Sequence, residues 1–217
     1  MSRMKRNCSI VEKYYELFEK NMEFKKVYTE ERIKLYRHIV DILLMLNVTS
    51  VLDVGCAFGL FVDLANKCGI DAYGLDLPID ELKTFHESLS LSRGKFIYGS
   101  IEDNSIIDQI AEKQFQTIVL LDTLRYITHI NWVSRLNPQF IIIKEVNNNF
   151  VMRYTRKNQF DVRLYSIFDL LKLFPSYKIF YLYSSKYIFA LKNPSLPVIL
   201  TIGRLLPTYT AILERKV

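Results

Sequence analysis

The sequence is poor in the residues that build stapled or metal-held folds. Three cysteines, Cys8, Cys56 and Cys68, stand among 217 residues, too few and too scattered for a disulfide framework or a zinc knuckle. The three histidines, His38, His86 and His129, show no metal-ligand spacing and no partner legible in the sequence, so each reads as surface or structural and no metal is expected. Seven glycines and six prolines leave no Gly- or Pro-rich linker. With no repeat and no low-complexity stretch, a disordered chain is not expected. The start, "MSRMKRNCSI", lacks the apolar core of a secretory signal. The longest uncharged apolar stretch, "NPSLPVILTIG" from Asn193 to Gly203, carries two prolines and is followed by Arg204. It is too short to span a bilayer and reads as a buried loop or helix. No transmembrane segment is expected, and the expected setting is cytoplasmic and reducing.

What is present suits a packed α/β fold. Hydrophobic residues make up 50% and charged residues 24%, enough for a sizeable core in one domain covering 1–217. The net charge of +6 is uneven. Residues 50–115 hold eleven acids and five bases, a local −6, so the remainder carries +12. An acidic centre between basic ends suits an anionic substrate beside a cofactor region, and equally suits a solvated surface. No run of arginines sharpens the choice, so nucleic acid is permitted by the charge but not indicated.

Periodicity organises the chain. Residues 10–47 carry apolar positions at helical spacing, among them Tyr14, Leu17, Ile33, Tyr36, Ile39 and Leu43, and form an amino-terminal helical cap. "NVTS" ends that pattern. Strands are then expected over Ser50 to Val54, in "DAYGLD" ending at Asp76, in "KFIYGS", in "TIVLL" and in "PQFIIIKEV", with helices between them. Continuous apolar strands alternating with helices predict a parallel sheet covered on both faces. A helix, "YSIFDLLKLF", and three strand-like segments, "YKIFYLYSS", "KYIFALKN" and "YTAILERK", follow.

The chemistry gathers at "VLDVGCAFGLF", Val51 to Phe61. Small residues at Gly55, Ala57 and Gly59 close the first strand, where a bulky side chain would keep a ligand off the main chain. Asp53 sits inside the strand, where a carboxylate needs partners. Asp76 closes the next strand, placed to accept both hydroxyls of a ribose. This order fits a nucleoside ligand. A dinucleotide fits less well, because the turn reads G-x-A-x-G and is preceded by an acid that would repel a pyrophosphate.

"VLDVGCAFGLFVDLANKCGIDAYGLDLP" resembles the first two motifs of the class I S-adenosylmethionine-dependent methyltransferases, with Ala57 in place of a usual glycine. "FIYGSIEDN", "FQTIVLLDTLRYI" and "PQFIIIKEVN" continue the resemblance in order, and "IGRLLPTYTAILERK" resembles the ending of small-molecule members of the type 11/23 branch. The resemblance covers about residues 35–217. It implies a Rossmann-like, doubly wound, mostly parallel seven-stranded sheet with helices on both faces, a core over 48–217 and a cap over 1–47. It implies S-adenosyl-L-methionine as cofactor. Gly55, Cys56, Ala57 and Gly59 would form the loop under its methionine part, with Asp53 orienting that loop or meeting the amino group through water. Asp76 would hold the ribose, Leu77 and Ile101 would cover the adenine, and Glu102 or Ser100 would face its amine. Leu121 and Asp122 would lie beside the methionine and the sulfonium.

Where the family often shows "EH", this chain has Arg125 and Tyr126, so no histidine base is implied. Tyr126 is the candidate for orienting an acceptor. No "NPPY" or "DPPY" follows the fourth strand, which argues against amino-methylation of adenine or of glutamine amides. A small hydroxylated acceptor is the favoured reading; an RNA or protein acceptor and a non-catalytic binding module are the alternatives. The segment holding Tyr14, Tyr15, Tyr28 and Arg32 is expected to pack on the sheet edge or to cover the pocket as a lid.

Overall fold

Branched aliphatic residues dominate the strands read above, and in the computed structural model of the chain they assemble into one sheet. The structure describes residues 29–89, 94–146, 165–184, 189–195, 197–199, 206 and 208–216. The helical pattern over 10–28, with Tyr14, Tyr15 and Tyr28, lies outside the described residues.

Helix α1 (Glu30–Met45) starts at Thr29, whose side chain accepts from the Arg32 amide, with Glu30 and Glu31 in its first turn. Such a cap and such charges suit the positive end of a helix. Strand β1 (Ser50–Val54) leads into α2 (Leu60–Lys67), β2 (Asp71–Asp76), α3 (Asp80–Ser88), β3 (Phe96–Tyr98) and α4 (Asn104–Ala111). Strand β4 (Thr117–Leu121) is followed by a 3-10 turn (Leu124–Tyr126), α5 (Trp132–Leu136) and β5 (Phe140–Val146). Helix α6 (Ile167–Leu173) and strands β6 (Tyr177–Ser184), β7 (Phe189–Lys192) and β8 (Thr208–Arg215) complete the described elements.

The strand order is β3-β2-β1-β4-β5-β8-β6-β7. The β1–β2, β1–β4, β2–β3 and β4–β5 pairs are parallel. Strand β8 runs antiparallel to both β5 and β6, and β7 runs antiparallel to β6. Strands β1 to β6 therefore all point one way, and only β7 and β8 reverse. The sheet has eight strands rather than seven. The additional one is β7, which follows β6 in sequence and pairs with it at the sheet edge.

Alternation along the strands divides the core in two. Val51, Val119, Phe140 and Ile142 face α1 and α2, where Ile39, Leu43, Phe61 and Ala65 are buried. Leu52, Ile118, Leu120 and Ile141 face the opposite side, with Ile107, Trp132 and Leu170 from α4, α5 and α6. The fold is thus α/β with helices on both faces, as expected from the apolar strands. Helix α5 escapes sequence reading because five residues show no helical period. Of the apolar stretch after Asn193, residues 197–199 form a helical turn with Ile199 buried. Among the described residues no helix is long and apolar enough to cross a membrane.

Candidate functional site

A cavity of about 370 Å³ opens where β1, β2 and β4 end, a volume within the usual range for a small-molecule site. Strand β1 lies between β2 and β4, so this is the point at which successive connections leave the sheet in opposite directions. Open parallel sheets bind their ligands there.

Strand β1 stops because Gly55 turns the chain at φ +76°. A Cβ on Gly55 would fall 2.4 Å from Thr123 Oγ1, so the turn and the close approach of the β4 loop both require glycine. Gly59 begins α2 at φ +74°, and a Cβ there would fall 2.6 Å from the Phe96 ring. Its need for glycine comes from that conformation and from packing below the loop. Gly55 and Ala57 line the cavity, whereas Cys56 and Gly59 do not. Cys56 is buried under the turn, and burial pushes its thiol well up.

Asp76 lines the cavity with its carboxylate already oriented. Oδ2 accepts from the Ala57 amide at 2.7 Å and Oδ1 from the Leu77 amide at 2.8 Å. Each oxygen of an ionised carboxylate can accept twice, so each retains capacity toward the cavity. Asp53 lies behind the wall at 3% exposure. Its Oδ1 has no hydrogen-bond partner among the described residues. Burial first, then the neighbouring Asp76 charge, push this acid up to about 8 against the opposing pull of Arg32.

One part of the cavity wall is apolar with a polar edge. Leu77, Ile101 and Leu121 line it together with Ser100 and Glu102. Ser100 Oγ accepts from the Glu102 amide at 3.2 Å. Glu102 Oε1 accepts from the amides of Thr128 and His129, at 2.8 and 2.6 Å. That carboxylate therefore also holds the loop that follows the 3-10 turn.

The far side of the cavity is charged. Asp122, in the left-handed region at φ +64°, pairs through Oδ2 with Arg32 Nη2 at 2.6 Å and with Lys144 Nζ. Its Oδ1 pairs with Arg125 Nη2 at 3.0 Å. Arg125 Nη2 also meets Glu145 Oε2 at 2.6 Å. Burial pushes Glu145 up against the pull of Arg125. Three cations from α1, the 3-10 turn and β5 thus converge on Asp122, and its charge is neutralised before any ligand arrives. Tyr126 stands at the rim, 68% exposed.

Arg32 and Tyr36 line the cavity as well. The sequence placed Arg32 in a lid and Tyr36 among helix core positions. Four residues apart on one helix, they share a face, and that spacing was the available signal. Tyr36 packs edge-on against Phe61 at 5.7 Å, and burial raises its hydroxyl. His86, which the sequence left without a partner, has two: its Nε2 is 2.7 Å from the Ala57 carbonyl oxygen and its Nδ1 is 3.1 Å from the Tyr98 hydroxyl. Among the described residues no cluster of His, Cys, Asp and Glu could hold a metal.

No protein-family model matches the sequence, and no curated protein matches it either. Solved structures do match. The methyltransferase domain of bacterial CtHen1 is 14% identical, covers 82% of this chain and 96% of that one, and superposes with a TM-score of 0.52. Magnesium protoporphyrin IX methyltransferase from Synechocystis PCC 6803, with bound SAH, is 15% identical over 90% of this chain and 88% of its own, at 0.55. The small RNA methyltransferase HEN1 is 10% identical, covering 88% of this chain but 26% of that one, at 0.56. At these identities the likeness is one of fold: the chain has the fold of the class I S-adenosylmethionine-dependent methyltransferases.

Proposed function

We propose that the chain is a single-domain S-adenosylmethionine-dependent methyltransferase acting on a small molecule, at a hydroxyl oxygen. The observation that carries this reading is Asp76: a carboxylate at the end of β2, fixed by two backbone amides and facing the cavity beside the Gly55 turn. Its remaining acceptor capacity suits the paired hydroxyls of a ribose. Leu77 and Ile101 supply apolar faces for an adenine, with Ser100 and the second oxygen of Glu102 at its edge. Gly55 and Ala57 leave main chain open for the methionine portion. Asp53, buried behind that wall and kept protonated at neutral pH by burial and the Asp76 charge, would orient the loop under the methionine portion. The cofactor would supply a methyl group on a positively charged sulfur.

The residues around that methyl group would serve chiefly to position the acceptor. Methyl transfer to oxygen needs in-line placement above all, and the hydroxyl proton can leave late. Tyr126, at the rim with an exposed ring, is the residue proposed to orient the acceptor. Asp122, already paired with three cations, acts by holding Arg32 and the start of α1 over the cavity. The +12 outside residues 50–115, together with likeness in fold to the small RNA methyltransferase HEN1, supports an RNA acceptor as the second reading.

Calorimetry with S-adenosylhomocysteine tests the cofactor. Wild type binds, and Asp76→Ala weakens binding by the loss of two hydrogen bonds to a charged acceptor, about 1.5–3 kcal/mol each at most. Unchanged affinity in that variant would place the ribose elsewhere.

A further inference from the structure

Ala57 occupies a backbone conformation that favours glycine. Its φ is +48°, where a Cβ crowds the following carbonyl. Such strain persists only where surrounding structure holds the residue in place. Two groups do so here. The Ala57 amide donates to Asp76 Oδ2 at 2.7 Å, and the Ala57 carbonyl lies 2.7 Å from His86 Nε2. A carbonyl only accepts, so Nε2 carries the proton, and the Nδ1 of the neutral ring accepts from the Tyr98 hydroxyl. Burial, which holds His86 below its ordinary value, favours that neutral form.

The ring cannot easily swing away. His86 is 2% exposed and lies flat on Phe96, with centroids 3.7 Å apart and planes 4° apart. Phe96 in turn occupies the space that a Cβ at Gly59 or Gly74 would need. The donor is therefore fixed from α3, outside the loop it serves.

We infer that His86 is a positioning residue for the cofactor loop: by donating to the Ala57 carbonyl it clamps that residue in the left-handed conformation the cavity wall requires. The effect on ligand binding rests on the cofactor reading above; the clamp itself also shows in stability. A histidine that merely filled space would be indifferent to residue 57. A clamp on a strained alanine is not, because glycine adopts the same φ without strain.

The test is a double-mutant cycle between His86→Phe, which keeps the stack and loses the donor, and Ala57→Gly. His86→Gln, which keeps an N–H donor, is the conservative control. Affinity for S-adenosylhomocysteine is measured by calorimetry and the thermal midpoint by circular dichroism. His86→Phe weakens binding about tenfold in the wild-type background, the scale of one hydrogen bond. In the Ala57→Gly background the loss shrinks to about twofold, a coupling expected only of residues acting on one another. His86→Gln recovers most of the affinity, and the midpoints follow the same order. Equal losses in both backgrounds overturn the inference. If wild type binds no S-adenosylhomocysteine, the cofactor reading fails, and the cycle in thermal midpoint still decides the clamp. If His86→Phe does not fold, folding of the double variant supports the clamp and its failure to fold overturns it.

Discussion

Asp53 shows how far one side chain can be taken from its behaviour in water. Its ordinary value is 3.8, and burial with the nearby Asp76 charge pushes it up to about 8. Between those values the folded chain keeps a proton that the unfolded chain has released. This acid's contribution to stability is therefore most favourable at the low end of that window. It falls as pH rises toward the folded value, by at most about 1.4 kcal/mol per pH unit. Asp53→Asn removes this slope, because an amide does not titrate. Urea unfolding at about pH 5 and about pH 8 checks it: the variant gains on wild type at the higher pH. A constant difference between the two proteins would show that Asp53 ionises freely in the fold. At this scale the sequence was informative, since an acid inside an apolar strand announces itself. It could not say that one oxygen would lack a partner among the described residues.

An ion pair just past the end of β4 helps join helix α1 to the site. Arg32, in its first turns, reaches Asp122, 90 residues away. Asp122→Asn would leave Arg32, Arg125 and Lys144 crowded together without their shared counter-charge. A buried pair broken in this way costs several kcal/mol, but Asp122 and its partners are partly exposed, so the expected loss is roughly 1–2 kcal/mol. Urea unfolding measures that loss, and hydrogen exchange locates it. Amides at the start of α1 lose protection, while those near Ile39 and Leu43, buried against the sheet, keep theirs. Unchanged exchange at the start of α1 would show that apolar packing alone seats the helix. The element boundaries were legible because strand alternation and helical period are written in neighbouring residues. Helix α5 was not, being shorter than the period needed to see it.

Across the whole molecule, the acidic stretch 50–115 contributes the loop and the acids Asp53 and Asp76, while the cations that meet Asp122 come from outside it, at Arg32, Arg125 and Lys144. A small-molecule acceptor leaves methyl transfer nearly insensitive to salt. If RNA were the acceptor and those three cations met phosphates, the logarithm of its affinity would fall against the logarithm of salt concentration with a slope of about −2. Transfer of labelled methyl from S-adenosylmethionine to small hydroxylated compounds and to single-stranded RNA, over a range of salt, separates the two. A steep slope with RNA as acceptor would reverse the preference stated here.

The sequence by itself determined the alternation of strands and helices, the turn at Gly55 and the two acids, Asp53 and Asp76, that flank it. These features rest on turn chemistry and on periods of two and about four residues, which neighbours along the chain settle among themselves. Only the tertiary structure decided that Gly59 serves Phe96 rather than the cavity and that Arg32 and Tyr36 enter the site from α1. It alone decided that Asp122 meets the cavity with its charge already taken by three cations. The physical reason is that ion pairing and close packing depend on which distant residues the fold brings within a few ångströms, and no local period encodes that choice.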